Sequence, residues 1–478
     1  MPLGWFWWQS LVPSTYNVMD MGHADYGGGP EAPTGGAGDH TGHDMSGVSV
    51  ADLSGPTSGA PDETTTLVAR KGEVRLASGE TVQGYTLNGR SPGPELKAQA
   101  GDLVQVTLRN KDVPGGVTLH WHGIDVPNAE DGVAGVTQDA VPVGGSHVYR
   151  FVVPDAGTYW YHSHQVSHEQ VRGGLFGVFV VSPATASPGP DVLAVVHTYE
   201  GRRTVNGSTG IARAEVPGGS VTRVRVVNTD SAAVRVWVSA APYRVVAIDG
   251  HDMTGGQDVV GKALLVPAGG RADLEVDVPM TGTRVDVGVG VALVVGPSGG
   301  GKVVAEPEPQ VEVDLLSYGR RTGELSFDPQ RADRRFDYSI GRRIGFLDGK
   351  PGFWWTINGH QFPDVPMYVV EEGDVVVMTI SNSSGDSHPM HLHGHHAIVL
   401  SRDGVEATGA RWWVDSLQVQ DGESYEIAFL ADNPGVWMDH CHNLPHAAQG
   451  LVAHLAYDGV SEPFVVGRHV GDAHNQPE

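Results

Sequence analysis

Residues 439–446 read Asp439-His440-Cys441-His442-Asn443-Leu444-Pro445-His446, and the rest of the chain is best read around them. Cys441 is the only cysteine among 478 residues, so it has no disulfide partner within the chain. If the segment is a strand, successive side chains leave on opposite faces. His440 and His442 then face one way and Cys441 the other. One strand serves two metal sites back to back, joined through the Cys–His backbone, which makes a short path for electrons.

That donor set suits copper. A thiolate and two imidazoles in a trigonal arrangement, with a weak or absent axial ligand, make a blue-copper electron-transfer site. Cys441 and His446 offer two of the three donors. Ten residues after the cysteine, at the axial position, stands Leu451, which has no donor atom. The alternative is a buried structural cysteine beside surface histidines.

Composition narrows the field. The chain has 66 glycines and 31 prolines, with only 18% charged residues. This predicts an all-β protein of many short strands and turns, long enough for several domains. A net charge of −25 argues against a nucleic-acid partner, since phosphate binding needs a basic surface. No stretch is apolar enough to span a bilayer. Gly4 to Val12 is aromatic but short, and no Lys or Arg precedes Arg70, so the basic region of a signal peptide is missing. Trp5, Trp7 and Trp8 either flanked a membrane segment absent from this chain or form a loosely packed anchor.

Residues 1–64 read as a flexible N-terminal tail, rich in Gly, Pro, Ser, Thr and acid over 27–64. It carries Met19, Met21, His23, His40, His43 and Met45. These are copper-compatible donors on what is otherwise a solvated linker, so copper ions are a candidate partner of the tail. From Thr65 short alternating strands begin. Gly101-Asp102 opens Leu103 to Leu108, then His120-Trp121-His122-Gly123 follows, then Gly157-Thr158-Tyr159-Trp160-Tyr161 and His162-Ser163-His164. The same order returns later. Gly373-Asp374 opens Val375 to Ile380, His391-Leu392-His393-Gly394 follows, then Gly435-Val436-Trp437-Met438-Asp439 and His440-Cys441-His442. A middle copy starting at Gly218-Gly219 has Arg235-Val236-Trp237-Val238 where the histidine pairs would stand. Such an internal repeat predicts three β-sandwich domains at 65–185, 190–318 and 330–462, with a C-terminal tail over 463–478. The first and third carry ligands, and the second is a spacer.

Ten histidines and one cysteine now stand in four motifs: His120/His122, His162/His164, His388/His391/His393, and His440/Cys441/His442 with His446. Over about residues 65–460 the chain resembles the three-domain multicopper oxidases of the laccase type found in bacteria. The resemblance implies three cupredoxin-like Greek-key sandwiches and four coppers per chain: one type 1, one type 2 and two type 3. His388, Cys441 and His446 match the type 1 ligands, with Leu451 at the axial place. His120 and His391 match type 2. His122, His162 and His442 match one type 3 copper, and His164, His393 and His440 the other. Cys441, His440 and His442 would carry electrons from the type 1 copper to the trinuclear cluster, where dioxygen becomes water.

Asp131 matches the family acid that supplies protons near the type 2 copper; a turn-capping Asp before Gly132 is the alternative. Many bacterial relatives carry a second acid just after the last type 1 histidine, where this chain has Ala447, leaving Glu169 and Asp439 as substitutes. His395 is a candidate partner for a ligand imidazole, while His168, His360 and His396 read as ordinary. Trp412, Trp413 and Asp415 either border the type 1 copper or pack under the sandwich. The expected partners are a small aromatic reductant and dioxygen, for a monomer outside the cytoplasm, secreted or held at the cell surface. A cuprous oxidase in copper tolerance is the alternative enzyme. Against it, no methionine occurs between Met390 and Met438; for it stand the tail methionines. A non-catalytic copper-binding protein is the alternative of another class, but such proteins lack ligands and none is missing here.

Overall fold

Strands that bury one face show period-two burial, and the repeats do so. In Leu103–Asn110 the side chains of Val104, Val106 and Leu108 are buried while their neighbours are not. The computed structural model describes residues 2–28, 47–185, 189–288 and 290–478. Their architecture is three β-sandwiches. The first pairs a sheet ordered Leu96–Gln99, Phe176–Ser182, Gly157–His162, His120–His122 with a second four-stranded sheet. The second combines a six-stranded and a five-stranded sheet. The third combines a seven-stranded sheet with a six-stranded one ordered His23–Asp25, Pro366–Val370, Val452–Tyr457, Val436–Cys441, His388–Leu392, Ser416–Val419.

Register explains how the motifs meet. His120 lies opposite His162 across antiparallel strands. In the third sandwich His391 lies opposite His440, and Met390 opposite Cys441. The residues between the histidines point into the cores. Trp121 is buried among Tyr149, Phe151 and Tyr161, and Trp437 is fully buried in the third sandwich. Each indole buries roughly 200 Å², worth about 5 kcal/mol of apolar transfer before ordering costs. The His120/His122 pair is therefore held by an indole that cannot move without opening a core, and the His162/His164 pair by Ser163, whose hydroxyl donates to Gln170 at 2.7 Å.

The two terminal segments are more ordered than a pair of free tails. His23–Asp25 adds a parallel strand beside Pro366–Val370, and Val48–Ser49 pairs with Val460–Ser461. Val18 and Val50 are buried in a cluster with Val133, Val436 and Val466. A few apolar side chains and open sheet edges suffice to dock these pieces; His40, His43 and Met45 lie outside the described residues. Segment 463–478 returns across the first sandwich. There the Asn475 side chain accepts from Ala140 N–H at 2.9 Å and donates to Asp139 at 2.7 Å. At the N-terminus a short helix, Pro2–Gln9, lies on the third sandwich, with Trp7 Nε1 donating to the Gly349 carbonyl at 3.1 Å. Among the described residues, no helix is long and apolar enough to cross a membrane.

Candidate metal centre

Alternation along Val436–Cys441 sets Cys441 on the face opposite His440. On the cysteine side, Cys441 Sγ lies 3.5 Å from His388 Nδ1 and 3.9 Å from His446 Nδ1, and those two nitrogens are 3.2 Å apart. Three donors at 2.0–2.3 Å from a common ion would be about 3.5 Å apart, so the triad is shaped for one metal. The far nitrogens are tied back: His388 Nε2 is 2.8 Å from Ser384 Oγ, and His446 Nε2 is 3.0 Å from the Asn443 amide. Trp355 packs against both rings at 4.5 and 4.7 Å. Leu451 is fully buried, and its carbonyl accepts the Cys441 N–H at 3.1 Å. Burial lowers His388 to about 3 and His446 to about 4 and pushes the Cys441 thiol up. The imidazoles are thus neutral, as metal binding requires.

On the other side, the first and third sandwiches bring eight histidines together. His120 Nε2 and His391 Nε2 are 3.4 Å apart. His440 Nε2 lies 3.2 Å from His393 Nε2 and 3.4 Å from His164 Nε2. His122 Nδ1, His162 Nε2 and His442 Nε2 are buried with no hydrogen-bond partner, although their rings are neighbours at 4.9–5.7 Å. Orphaned buried nitrogens are costly. Burial first, then mutual proximity, holds most of these rings well below the ordinary histidine value. Neutral, inward-facing imidazoles without partners fit metal ions and little else.

The groups behind these rings fix their orientation. Asp131 Oδ1 is 3.0 Å from His120 Nδ1 and its Oδ2 is 3.0 Å from His393 Nδ1. Both carboxylate oxygens are therefore spent on turning ligand rings, one from each sandwich, which makes Asp131 a positioning residue more than a turn cap. Asp415 Oδ1 and Ser416 Oγ lie 3.1 and 3.0 Å from His122 Nε2, leaving His122 Nδ1 to face the centre. The Asp415 carbonyl sits 2.8 Å from His391 Nδ1.

The middle sandwich also takes part. Arg271 donates to both Asp415 oxygens at 2.5 and 2.6 Å. Burial alone would raise Asp415, but Arg271 and the His122 and His396 bonds outweigh it and hold it well below the carboxylate range. Gly269, at φ +81°, passes so close that an added Cβ would stand 2.8 Å from His122 and 3.0 Å from His442. The expected spacer thus seals and braces the cluster.

The other sequence candidates fall out as follows. Glu169 is exposed, and Asp439 shares the Cys441 face of its strand, away from the cluster. A further acid beside the cluster, besides Asp131 and Asp415, is Glu478. Its Oε1 lies 3.4 Å from His440 Nδ1 and 3.8 Å from His164 Nε2, and Ser167 Oγ bonds its other oxygen. Burial pushes its carboxyl up to about 8. His395 bridges the His393 carbonyl and Tyr457 OH. His396 sits 3.3 Å from Asp415. Trp412 packs on Tyr425 and Trp413 near His251, both away from the type 1 triad. Asp415, expected beside the type 1 copper or under the sandwich, instead holds His122 and His391 of the eight-histidine cluster, while Arg271 carried no motif, and Glu478 no spacing, by which sequence could single them out.

Two family models described as multicopper oxidase match the chain, over residues 68–186 and 337–459. The chain belongs to the multicopper oxidases. Members of that family use copper, and the donor sets above fit it. This multicopper oxidase is 28% identical to the multicopper oxidase MmcO of Mycobacterium tuberculosis, over 86% of this chain and 90% of that protein. It is 27% identical to laccase-1 of Botryotinia fuckeliana, over 78% of each. A solved multi-copper oxidase from Pseudomonas thermotolerans superposes with a TM-score of 0.67 at 27% identity, over 83% of this chain and all of the other.

Proposed function

We propose that this protein oxidises phenols or aromatic amines one electron at a time and reduces dioxygen to water with four electrons and four protons. His388, Cys441 and His446 would hold one copper. His120 and His391 would hold a second. His122, His162, His442 and His164, His393, His440 would hold a pair. Bound there, copper supplies the redox couple at one end and the dioxygen chemistry at the other.

The observation that carries the reading is Cys441 between His440 and His442, one residue of a strand touching one donor cluster and its two neighbours the other. The protein's share is to hold these groups still. Ser384 and Trp355 fix the His388 ring, and Asp131 and Asp415 orient His120, His393 and His122. Beside the residues that follow His446 lies a cavity of about 510 Å³ whose lining includes Leu347, Trp354, Phe362, Ala447 and Ala448, with room for an aromatic ring. Glu478 places a carboxyl at the cluster, where protons must arrive. With this reading goes a location outside the cytoplasm, testable by fractionation.

A second reading has its own observation. Met21, Met367 and Met438 line the same cavity, and thioethers suit Cu(I). The test is oxygen uptake by the copper-loaded protein with a methoxyphenol against Cu(I). Faster uptake with the phenol is expected. Uptake with Cu(I) alone would establish a cuprous oxidase, and none with either would overturn both readings.

A further inference from the structure

Away from the centre, His23, His360 and Asp364 converge on the surface of the third sandwich. His360 Nδ1 lies 3.0 Å from Asp364 Oδ2, and His23 Nδ1 lies 3.7 Å from Asp364 Oδ1. The two imidazole rings are 4.6 Å apart, and one ligand atom from each residue falls within 4.8 Å of the others. Both histidines are half-buried, while Asp364 is exposed. The sequence places them far apart; the parallel pairing of His23 with Pro366 brings them together.

We infer that these three residues form a separate binding site for a borderline divalent cation, zinc or copper(II), which pins the N-terminal segment to the third sandwich. Two imidazoles and a carboxylate are the donors such ions take, with solvent completing the shell. Donors about 2.0–2.1 Å from a tetrahedral ion stand about 3.3 Å apart; the imidazole-to-carboxylate separations, 3.0 Å to Oδ2 and 3.7 Å to Oδ1, lie near that value, with each histidine facing its own oxygen of Asp364. An ion pair alone needs one histidine on Asp364. Here two rings from segments more than 300 residues apart present the same nitrogen to one carboxylate. The segment is also held by a three-residue strand, by Val18 in a buried apolar cluster, and by Asn17, whose amide donates to the Glu462 carbonyl at 2.7 Å. A metal bridge would add a further tie to these contacts. The site stands whether or not the proposed substrate is right.

The test starts from protein already loaded with copper at the centre. Zinc is added, and bound zinc and copper are counted after equilibrium dialysis. One ion per chain beyond the four coppers proposed for the centre is expected, as zinc or as a fifth copper. His360→Ala and Asp364→Asn should each weaken zinc binding by at least about tenfold, with the copper of the centre and the blue absorption unchanged. Anomalous diffraction at the zinc edge should place the ion between His23 and His360. The inference fails if wild-type protein holds no metal ion, zinc or copper, beyond the four coppers proposed for the centre. It fails equally if a His23→Ala/His360→Ala variant retains the extra ion in full, which would move binding to other residues such as His40 and His43.

Discussion

Asp415 shows how much of a metal centre rests on residues that never touch metal. Its side chain holds His122 Nε2, its carbonyl holds His391 Nδ1, and Arg271 of the middle sandwich is its counter-ion. Partners of ligand imidazoles are typically worth 10–100-fold in metal affinity or activity. Asp415→Asn keeps the shape but gives up the charge that balances Arg271. Oxygen uptake should fall by about 10–100-fold, with copper lost from the trinuclear cluster while the blue type 1 absorption persists. Unchanged uptake would mean that His122 is oriented by Ser416 alone. Gly269 offers a harsher check. Any side chain there strains a left-handed backbone and collides with His122 and His442. Gly269→Val should therefore leave the chain folded, with its type 1 copper but with less than a full trinuclear complement, measured as copper per chain.

At the scale of elements, what repeats or alternates was legible and what occurs once was not. The His-X-His pairs and the Cys441 strand follow period two, and their donors fall where alternation puts them, while His446 comes in from the short helix Leu444–Ala447. The strands His23–Asp25 and Val48–Ser49 are two or three residues long, too short to show a period, so their docking could not be read. Glu478 and Arg271 are likewise defined by what the fold brings near them. Docking of the N-terminal segment buries Glu462 beside Asn17 of that segment. Burial raises its carboxyl to about 9, well above the ordinary value of about 4.3. The fold therefore accommodates the neutral form. That contribution is full below the ordinary value and is lost as pH rises through about 9. Glu462→Gln stays neutral throughout. Its melting temperature should match the wild type at about pH 4 and exceed it by a few degrees at about pH 8. A constant difference across that range would show that the carboxyl ionises in contact with water.

Across the whole molecule, the two kinds of metal site differ in what they tie together. His388, Cys441 and His446 all belong to the third sandwich, so an ion there braces one domain. The eight-histidine cluster takes His120, His122, His162 and His164 from the first sandwich and His391, His393, His440 and His442 from the third. Metal in it would cross-link two domains through ligands more than 200 residues apart in sequence. An ion that binds the folded state alone stabilises it in proportion to the logarithm of its excess over the dissociation constant. Removing copper also leaves His122, His162 and His442 with unpaired nitrogens in a sealed interface. The copper-free protein should melt several degrees lower than the loaded one. Cys441→Ser, which forfeits the type 1 ion but spares the cross-link, should keep most of that difference. Equal melting of the loaded and copper-free proteins would mean that the two sandwiches share no metal. Complete loss of the difference in Cys441→Ser would place the stabilisation within the third sandwich alone.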